Sequence, residues 1–223
     1  MRDLCLFDLD GTLTDPKEGI TKSVQHALNY FSIKVSVLDE LTKFIGPPLR
    51  DSFREFYGFS ENDAELAVSK YREYFSETGI FENTLYKGTL ELLDKLKSHD
   101  ITMAIATSKP TVFAEQIAEH FKFKKYFDII AGSELDGNRS RKSEVIGYVL
   151  NSIDAKRNKP TVMIGDRKHD IIGTHEMGID SIGVTWGYGS RNELEEAKAT
   201  YIVDSLEELY TGLTCKTPTS CCQ

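Results

Sequence analysis

The sequence predicts an α/β fold, a doubly wound parallel sheet into which a helical segment is inserted. Three observations predict it. Short, largely apolar runs recur at 4–7, 101–106, 127–131, 161–164 and 181–184, as in strands buried on both faces. From about residue 85 onward these runs alternate with stretches of helical length and periodicity. Between Thr14 and about Asn83 no strand-like run appears, so that block reads as an all-helical insert.

In chain order, Leu4-Cys5-Leu6-Phe7 runs straight into Asp8-Leu9-Asp10-Gly11-Thr12, a buried strand ending in a glycine turn. Alternate side chains of an extended segment share a face, so Asp8 and Asp10 converge on one site while Leu9 packs the other way. After Asp15-Pro16, Ile20, Val24, Ala27, Leu28 and Phe31 form one helical stripe. A short helical run from Leu38 to Phe44 is broken by Ile45-Gly46-Pro47-Pro48-Leu49, and 49–56 and 62–77 follow as two more helices. The chain returns at Leu85-Tyr86-Lys87-Gly88, where Leu90, Leu93 and Leu96 mark a helix. Strand 101–106 precedes a helix from Pro110 to about His120, and strand 127–131 precedes one from about Lys142 to Ile153. Strand 161–164 leads to a helix from about Asp170 to Met177, and strands 181–184 and 201–203 each lead to a short helix. The expected division is 1–14 with 85–214 as the α/β core, 15–84 as a helical cap, and 215–223 as a disordered tail.

The composition, 40% hydrophobic and 28% charged, is that of a soluble globular protein. With 27 basic against 35 acidic residues, a net charge of −8, and no basic block, neither a nucleic-acid polymer nor a membrane surface is an expected partner. An anionic ligand must then be drawn in by local cations. The four cysteines show neither disulfide-framework nor zinc spacing, and no apolar run suits a signal peptide or a membrane span. A reducing cytoplasm is the expected location.

Four clusters fall at or just beyond the carboxyl ends of predicted strands, where open α/β sheets place ligands. Asp8 and Asp10 would repel each other and lose hydration there, so either a divalent cation compensates or one of them keeps its proton. A strand that simply ends in an Asx turn is the alternative. In Thr107-Ser108-Lys109-Pro110, Ser108 or Thr107 can cap the helix that Pro110 opens, and the free amides can bind an anion. Ser140-Arg141-Lys142-Ser143 puts cations at the positive end of a helix dipole, so one of them needs an anionic partner. Arg139 and Arg141 read equally well as a solvated charge run. Gly165-Asp166-Arg167-Lys168-His169-Asp170 sets two carboxylates four apart at a strand-to-helix turn, which suits a hard cation with oxygen ligands. His169 is then a surface or supporting residue rather than a ligand.

Asp8-Leu9-Asp10-Gly11-Thr12, Thr107-Ser108, Lys142 and Gly165-Asp166 with Asp170 resemble, in this order, the four signature motifs of the haloacid dehalogenase superfamily, over residues 1 to about 210. The helical insert after the first motif resembles that of its phosphoglycolate phosphatase and β-phosphoglucomutase branch. Phe44-Ile45-Gly46-Pro47-Pro48-Leu49 together with 165–170 is most similar to members labelled 5′-nucleotidase or phosphoglycolate phosphatase. The resemblance implies a Rossmann-like core with a helical cap, and a Mg²⁺-dependent phosphatase that hydrolyses a small phosphorylated metabolite through an aspartyl phosphate. It implies Asp8 as nucleophile, Asp10 as acid and then base, and Thr107, Ser108 and Lys142 as phosphate-binding groups. Asp8, Asp10, Asp166 and Asp170 would form the Mg²⁺ set, Asp10 through its backbone carbonyl and Asp170 either as a ligand or as a partner that supports the ligands. Where relatives often carry Asn after the threonine, Ser108 stands, and a backbone amide contact survives that change. An acid at Asp10 argues against a dehalogenase, and against a phosphonatase, for which Lys22 would be the candidate amine. A sugar phosphomutase of the β-phosphoglucomutase type uses the same residues, and a non-catalytic interaction protein could share the fold. Gly46 and Arg50 are candidate specificity residues, Arg50 for an anionic or polar substrate end, against the plainer reading of Gly46-Pro47-Pro48 as an interhelical turn. The protein is expected to be a monomer or a homodimer.

Overall fold

A computed structural model of the chain describes residues 2–153 and 160–215; all but Cys215 of the expected tail lies outside them. The chain opens with β1 (Leu4–Phe7) and the two-residue β2 (Thr14–Asp15). A helical stretch follows, comprising α1 (Lys17–Tyr30), a 3₁₀ turn (Leu38–Phe44), α2 (Leu49–Tyr57), α3 (Glu61–Tyr74) and a π turn (Phe75–Gly79). The chain leaves it through β3 (Thr84–Leu85) and α4 (Thr89–Ser98). Strands and helices then alternate as β4 (Thr102–Pro110), α5 (Thr111–His120), β5 (Ile129–Ser133), α6 (Lys142–Ser152), β6 (Thr161–Gly165) and α7 (Lys168–Met177). The chain finishes with β7 (Asp180–Val184), α8 (Arg191–Glu196), β8 (Tyr201–Val203) and α9 (Leu206–Thr214).

Six strands form one sheet in the order β5-β4-β1-β6-β7-β8, with every pairing parallel. β1 lies at its centre, Leu4 facing Thr102 on one side and Thr161 on the other. Its side chains alternate between two cores. Cys5 and Phe7 join the larger one, while Leu4 and Leu6 pack with Val145, Ile146 and Val149 of α6. Burial on both faces is why the strand is apolar at every position. The strand order reverses at β1, and the carboxyl ends of β1, β4 and β6 therefore border the crevice where such sheets bind ligands.

Several details differ from the sequence expectation: the strand expected at 127–131 lies at Ile129–Ser133, and the helix expected over 62–77 ends at Tyr74 and passes into the π turn. β4 does not stop at 106; after a register shift past Ala106 it pairs again, Pro110 with Ser133. β2 and β3 pair antiparallel, Thr14 with Leu85 and Asp15 with Thr84, where the helical stretch starts and ends. Two-residue strands carry no periodicity from which to read them. In α4, Leu92, Leu93 and Leu96 fill one 3.6-residue stripe, which puts Leu90 beyond its edge at 38% exposed. Within the helical stretch the Phe44 ring packs on Phe53 at 5.0 Å and Phe56 at 5.3 Å, an aromatic centre of its own. Among the described residues no helix is long and apolar enough to cross a membrane.

Candidate active site

Hydrogen bonding of β1 continues one residue past its end, Asp8 N donating to Ile164 O at 2.8 Å. The chain then turns, with Leu13 N and Thr14 N both donating to Leu9 O and Gly11 at φ +83°. A Cβ on Gly11 would lie 2.2 Å from Asp166 Oδ2, so only glycine lets this turn close over that carboxylate. The turn buries Asp8 and Asp10 on the wall of one cavity and Leu9 in the core. The two aspartates do converge, but the turn brings them together rather than a continued strand, Asp10 keeping only an isolated bridge to Thr14.

Asp166 leaves β6 and Asp170 opens α7, both fully buried. Each carboxylate is oriented by a backbone amide: Tyr188 N donates to Asp166 Oδ2 at 2.7 Å and Arg167 N to Asp170 Oδ2 at 3.0 Å. One oxygen each from Asp8, Asp166 and Asp170 lie within 4.8 Å of one another. Lys142, the first residue of α6, reaches Asp8 Oδ1 at 2.9 Å, Asp170 Oδ1 at 2.7 Å and the Ala106 carbonyl at 3.2 Å. This is the anionic partner its place on the helix dipole demands. Burial alone would lower the Lys142 pKa, but Asp170 and Asp8 more than offset it and hold the ammonium charged. Burial, with Asp170 and Asp8 nearby, pushes Asp166 well above the usual carboxylate range. Asp170 is pushed up to about 6 by burial, against the pull of Lys142.

Asp10 stands slightly apart. Its Oδ2 pairs with Lys109 Nζ at 2.8 Å, and burial raises its pKa against the opposing pull of that lysine. Lys109 was not among the expected site residues; it belongs to the irregular stretch of β4 after Ala106, where a shifted register re-aims side chains. Its signal in the sequence was its place directly after Thr107-Ser108. Thr107 is buried and its Oγ1 accepts from Lys109 N at 3.3 Å; Ser108 is half-buried and its carbonyl accepts from Ser133 Oγ at 2.9 Å. Neither hydroxyl caps α5, contrary to expectation, because β4 runs on to Pro110 and carries both out of reach. Arg139 is no solvated charge either: its Nε donates to Gly132 O at 2.7 Å and its guanidinium lies 3.9 Å from the Tyr148 ring centre. Arg141 is exposed.

Four buried carboxylates, Asp8, Asp10, Asp166 and Asp170, therefore face two buried ammonium groups, Lys109 and Lys142. With all four ionised two negative charges would be left over; burial raises the pKa of Asp10, Asp166 and Asp170, and Asp166 Oδ1 is buried without a hydrogen-bond partner. An all-oxygen set with that excess fits a hard divalent cation.

The site opens into a cavity of about 630 Å³ walled on its far side by the helical stretch. Gly46 and Arg50 both line it, with Arg50 paired to Glu65 at 2.6 Å. Tyr71 and Phe75, not singled out from the sequence, line it as well. Arg167, in the turn that carries Asp166 and Asp170, reaches across: its guanidinium donates to the Ile45 carbonyl, while Nε pairs with Glu193 at 2.9 Å. Gly46 has φ +105°, and a Cβ there would lie 2.9 Å from Arg167 Cγ. Lys22 is engaged by Glu18 and Glu82, each at 2.6 Å, and does not line the cavity.

Residues 5–184 match the family model for haloacid dehalogenase-like hydrolases. A 5′-nucleotidase of Pseudomonas aeruginosa is 48% identical over 204 residues, 92% of each chain. The tyrosine-protein kinase PtkA of Mycobacterium tuberculosis is 37% identical over 210 residues, 92% of this chain and 71% of the relative. Among solved structures, a predicted phosphatase from Clostridium acetobutylicum superposes with a TM-score of 0.93 at 51% identity, over 96% of this chain and 98% of that one.

Proposed function

Since the chain belongs to the haloacid dehalogenase-like hydrolase family and is a phosphatase of it, we propose that it hydrolyses small phosphomonoesters through an aspartyl phosphate on Asp8. One observation carries this reading: Asp8 lies among three further buried carboxylates and two buried lysines at the end of the central strand, facing a cavity of metabolite size. An Asp8 carboxylate oxygen attacks phosphorus as the bond to the leaving oxygen breaks, and the Asp10 carboxyl gives that oxygen its proton. Water then attacks the phosphoryl group, Asp10 takes its proton back, and phosphate leaves with Asp8 restored. Lys142 offsets the negative charge on Asp8 and on the arriving phosphoryl group, and Thr107 with the Ser108 amide holds phosphoryl oxygens. Asp8, Asp166 and Asp170, with the Asp10 carbonyl, would hold Mg²⁺, which when bound neutralises charge on the phosphoryl oxygens.

Residues 15–84 act as a lid in this reading, hinged at the β2–β3 ladder, so that closure keeps water from the substrate until Asp8 is phosphorylated. In this reading Gly46 and Arg50, which line the cavity on the lid side, contact the substrate's leaving group. The relative named 5′-nucleotidase, similar over nine-tenths of both chains, favours a nucleoside 5′-monophosphate over phosphoglycolate. A second reading, transfer to an acceptor hydroxyl in place of water, draws support from the 37% relative named as a kinase.

Phosphate release is measured from nucleoside 5′-monophosphates, phosphoglycolate, hexose phosphates and pyrophosphate, with Mg²⁺ or with EDTA. Release that needs Mg²⁺, is fastest with a nucleotide and is lost in Asp8→Asn is the expected result. Release undiminished in Asp8→Asn would remove the nucleophile assignment. Substrate consumed in excess of phosphate released would point to the acceptor reading.

A further inference from the structure

Lys109 is a buried cation to which the chemistry above gives no task. Its Nζ lies 2.8 Å from Asp10 Oδ2 and 4.5 Å from the centre of the Phe75 ring. The three residues are 9, 7 and 2% exposed, so the contact is largely buried at the floor of the cavity they line. At that degree of burial an ion pair fixes the rotamers of both partners, because breaking it leaves two poorly solvated charges. The pair commits one carboxyl oxygen of Asp10 and leaves the other, Oδ1, buried without a hydrogen-bond partner. Phe75 is itself held from both sides, stacked on Tyr71 of α3 at 5.2 Å and met edge-on by Phe113 of α5 at 5.3 Å. It is the first residue of the π turn, a local widening of the helix of the kind that recurs where function requires a side chain to be re-aimed. A ring from the helical stretch thus rests on a cation from the sheet, and that cation grips the residue proposed to move the proton.

We propose that Lys109 is a positioning residue for Asp10, aiming its carboxyl at the leaving oxygen, and that Phe75 keeps Lys109 in place. This rests on the acid role given to Asp10 above. The step concerned is the first one: as the Asp8 oxygen bonds to phosphorus and the ester P–O bond breaks, the Asp10 proton passes to the departing oxygen. A departing alkoxide needs that proton, whereas p-nitrophenolate is stable without it. Misaiming Asp10 therefore penalises alkyl esters and spares the aryl ester, a selectivity that a general loss of structure does not produce.

The test compares kcat/KM, which reports this first step, for the fastest alkyl monoester of the panel and for p-nitrophenyl phosphate. Lys109→Met is expected to lose about 100-fold on the alkyl ester and less than about tenfold on the aryl ester. Phe75→Leu shifts the ratio the same way by about fivefold, and Phe75→Tyr, which keeps an aromatic face over the ammonium, restores the wild-type ratio. Equal losses on the two esters in Lys109→Met, or no loss, overturn the assignment. Asp10→Asn separates the two levels of the argument. If it does not discriminate between the esters, the acid role of Asp10 falls; if it does and Lys109→Met does not, only the Lys109 proposal falls. Should Lys109→Met show no cooperative unfolding transition, Phe75→Leu decides, and a wild-type ratio there overturns the proposal.

Discussion

Gly11 and Cys5 mark two extremes of what one residue can settle. At Gly11 a methyl group would meet the Asp166 carboxylate at 2.2 Å, on a backbone at φ +83°. Gly11→Ala is expected to cost about 1–3 kcal/mol in denaturant unfolding and to weaken Mg²⁺ binding in a titration, because the carboxylate must move to admit the side chain. Cys5 lies in the central strand with no exposed surface, and burial pushes its thiol up to about 12. At pH 8 iodoacetamide should leave it unmodified in the native protein and label it in guanidinium, which peptide mass spectrometry reads directly. At this scale Asp8, Asp166, Asp170 and Lys142 were legible, since each stands where an apolar strand ends or a helix begins. Lys109 was not. Its aim depends on a register shift in β4, and hydrophobic pattern carries no trace of which strand pair will slip.

The alternating elements were legible from their periods of 2 and 3.6, with bounds moved by up to four residues, the most at the end of β4. Missing were the β2–β3 ladder and the π turn, features too short to have a period and fixed only by what the chain meets in three dimensions. Arg167 belongs to this scale because it ties the α7 turn to the loop between the 3₁₀ turn and α2 through the Ile45 carbonyl. The two carboxylates of its motif suggested a cation site, and nothing in the sequence assigned Arg167 a role; its guanidinium serves as a strap between two layers. Arg167→Ala is expected to raise KM about tenfold with kcat little changed, as a charge-assisted hydrogen bond is lost. Limited proteolysis should also cut faster near residues 14–17 and 83–88. Unchanged KM and an unchanged cleavage rate would show that the strap bears no load.

For the molecule as a whole, the excess of buried carboxylates sets how stability depends on pH. An acid whose pKa is raised by folding favours the native state while protonated. The contribution of Asp170 is therefore complete below 3.8, its ordinary value, and is lost as pH rises through about 6. Asp166, also raised well above the usual carboxylate range by burial, acts in the same direction. In EDTA the melting temperature should fall between pH 5 and 7.5, and Mg²⁺ should raise it more at pH 7.5 than at pH 5, because the cation binds the ionised set. Scanning calorimetry at the two pH values checks this, and a Mg²⁺ effect independent of pH would contradict it.

The place of β1 in the sheet also governs the order in which the chain can fold. Leu4–Phe7 pairs with residues 102–105 on one side and 161–164 on the other, so the first strand to be synthesised is among the last to be enclosed. At the usual pace of translation, Thr161 follows Leu4 on the order of ten seconds later. Until residues 102–105 emerge this short, wholly apolar strand has no partner, and until 161–164 emerge one of its edges stays open, while the helical stretch 17–79 can already collapse on its own aromatic centre. Keeping that open edge from pairing with other chains until β6 arrives is a demand the strand order places on the nascent chain.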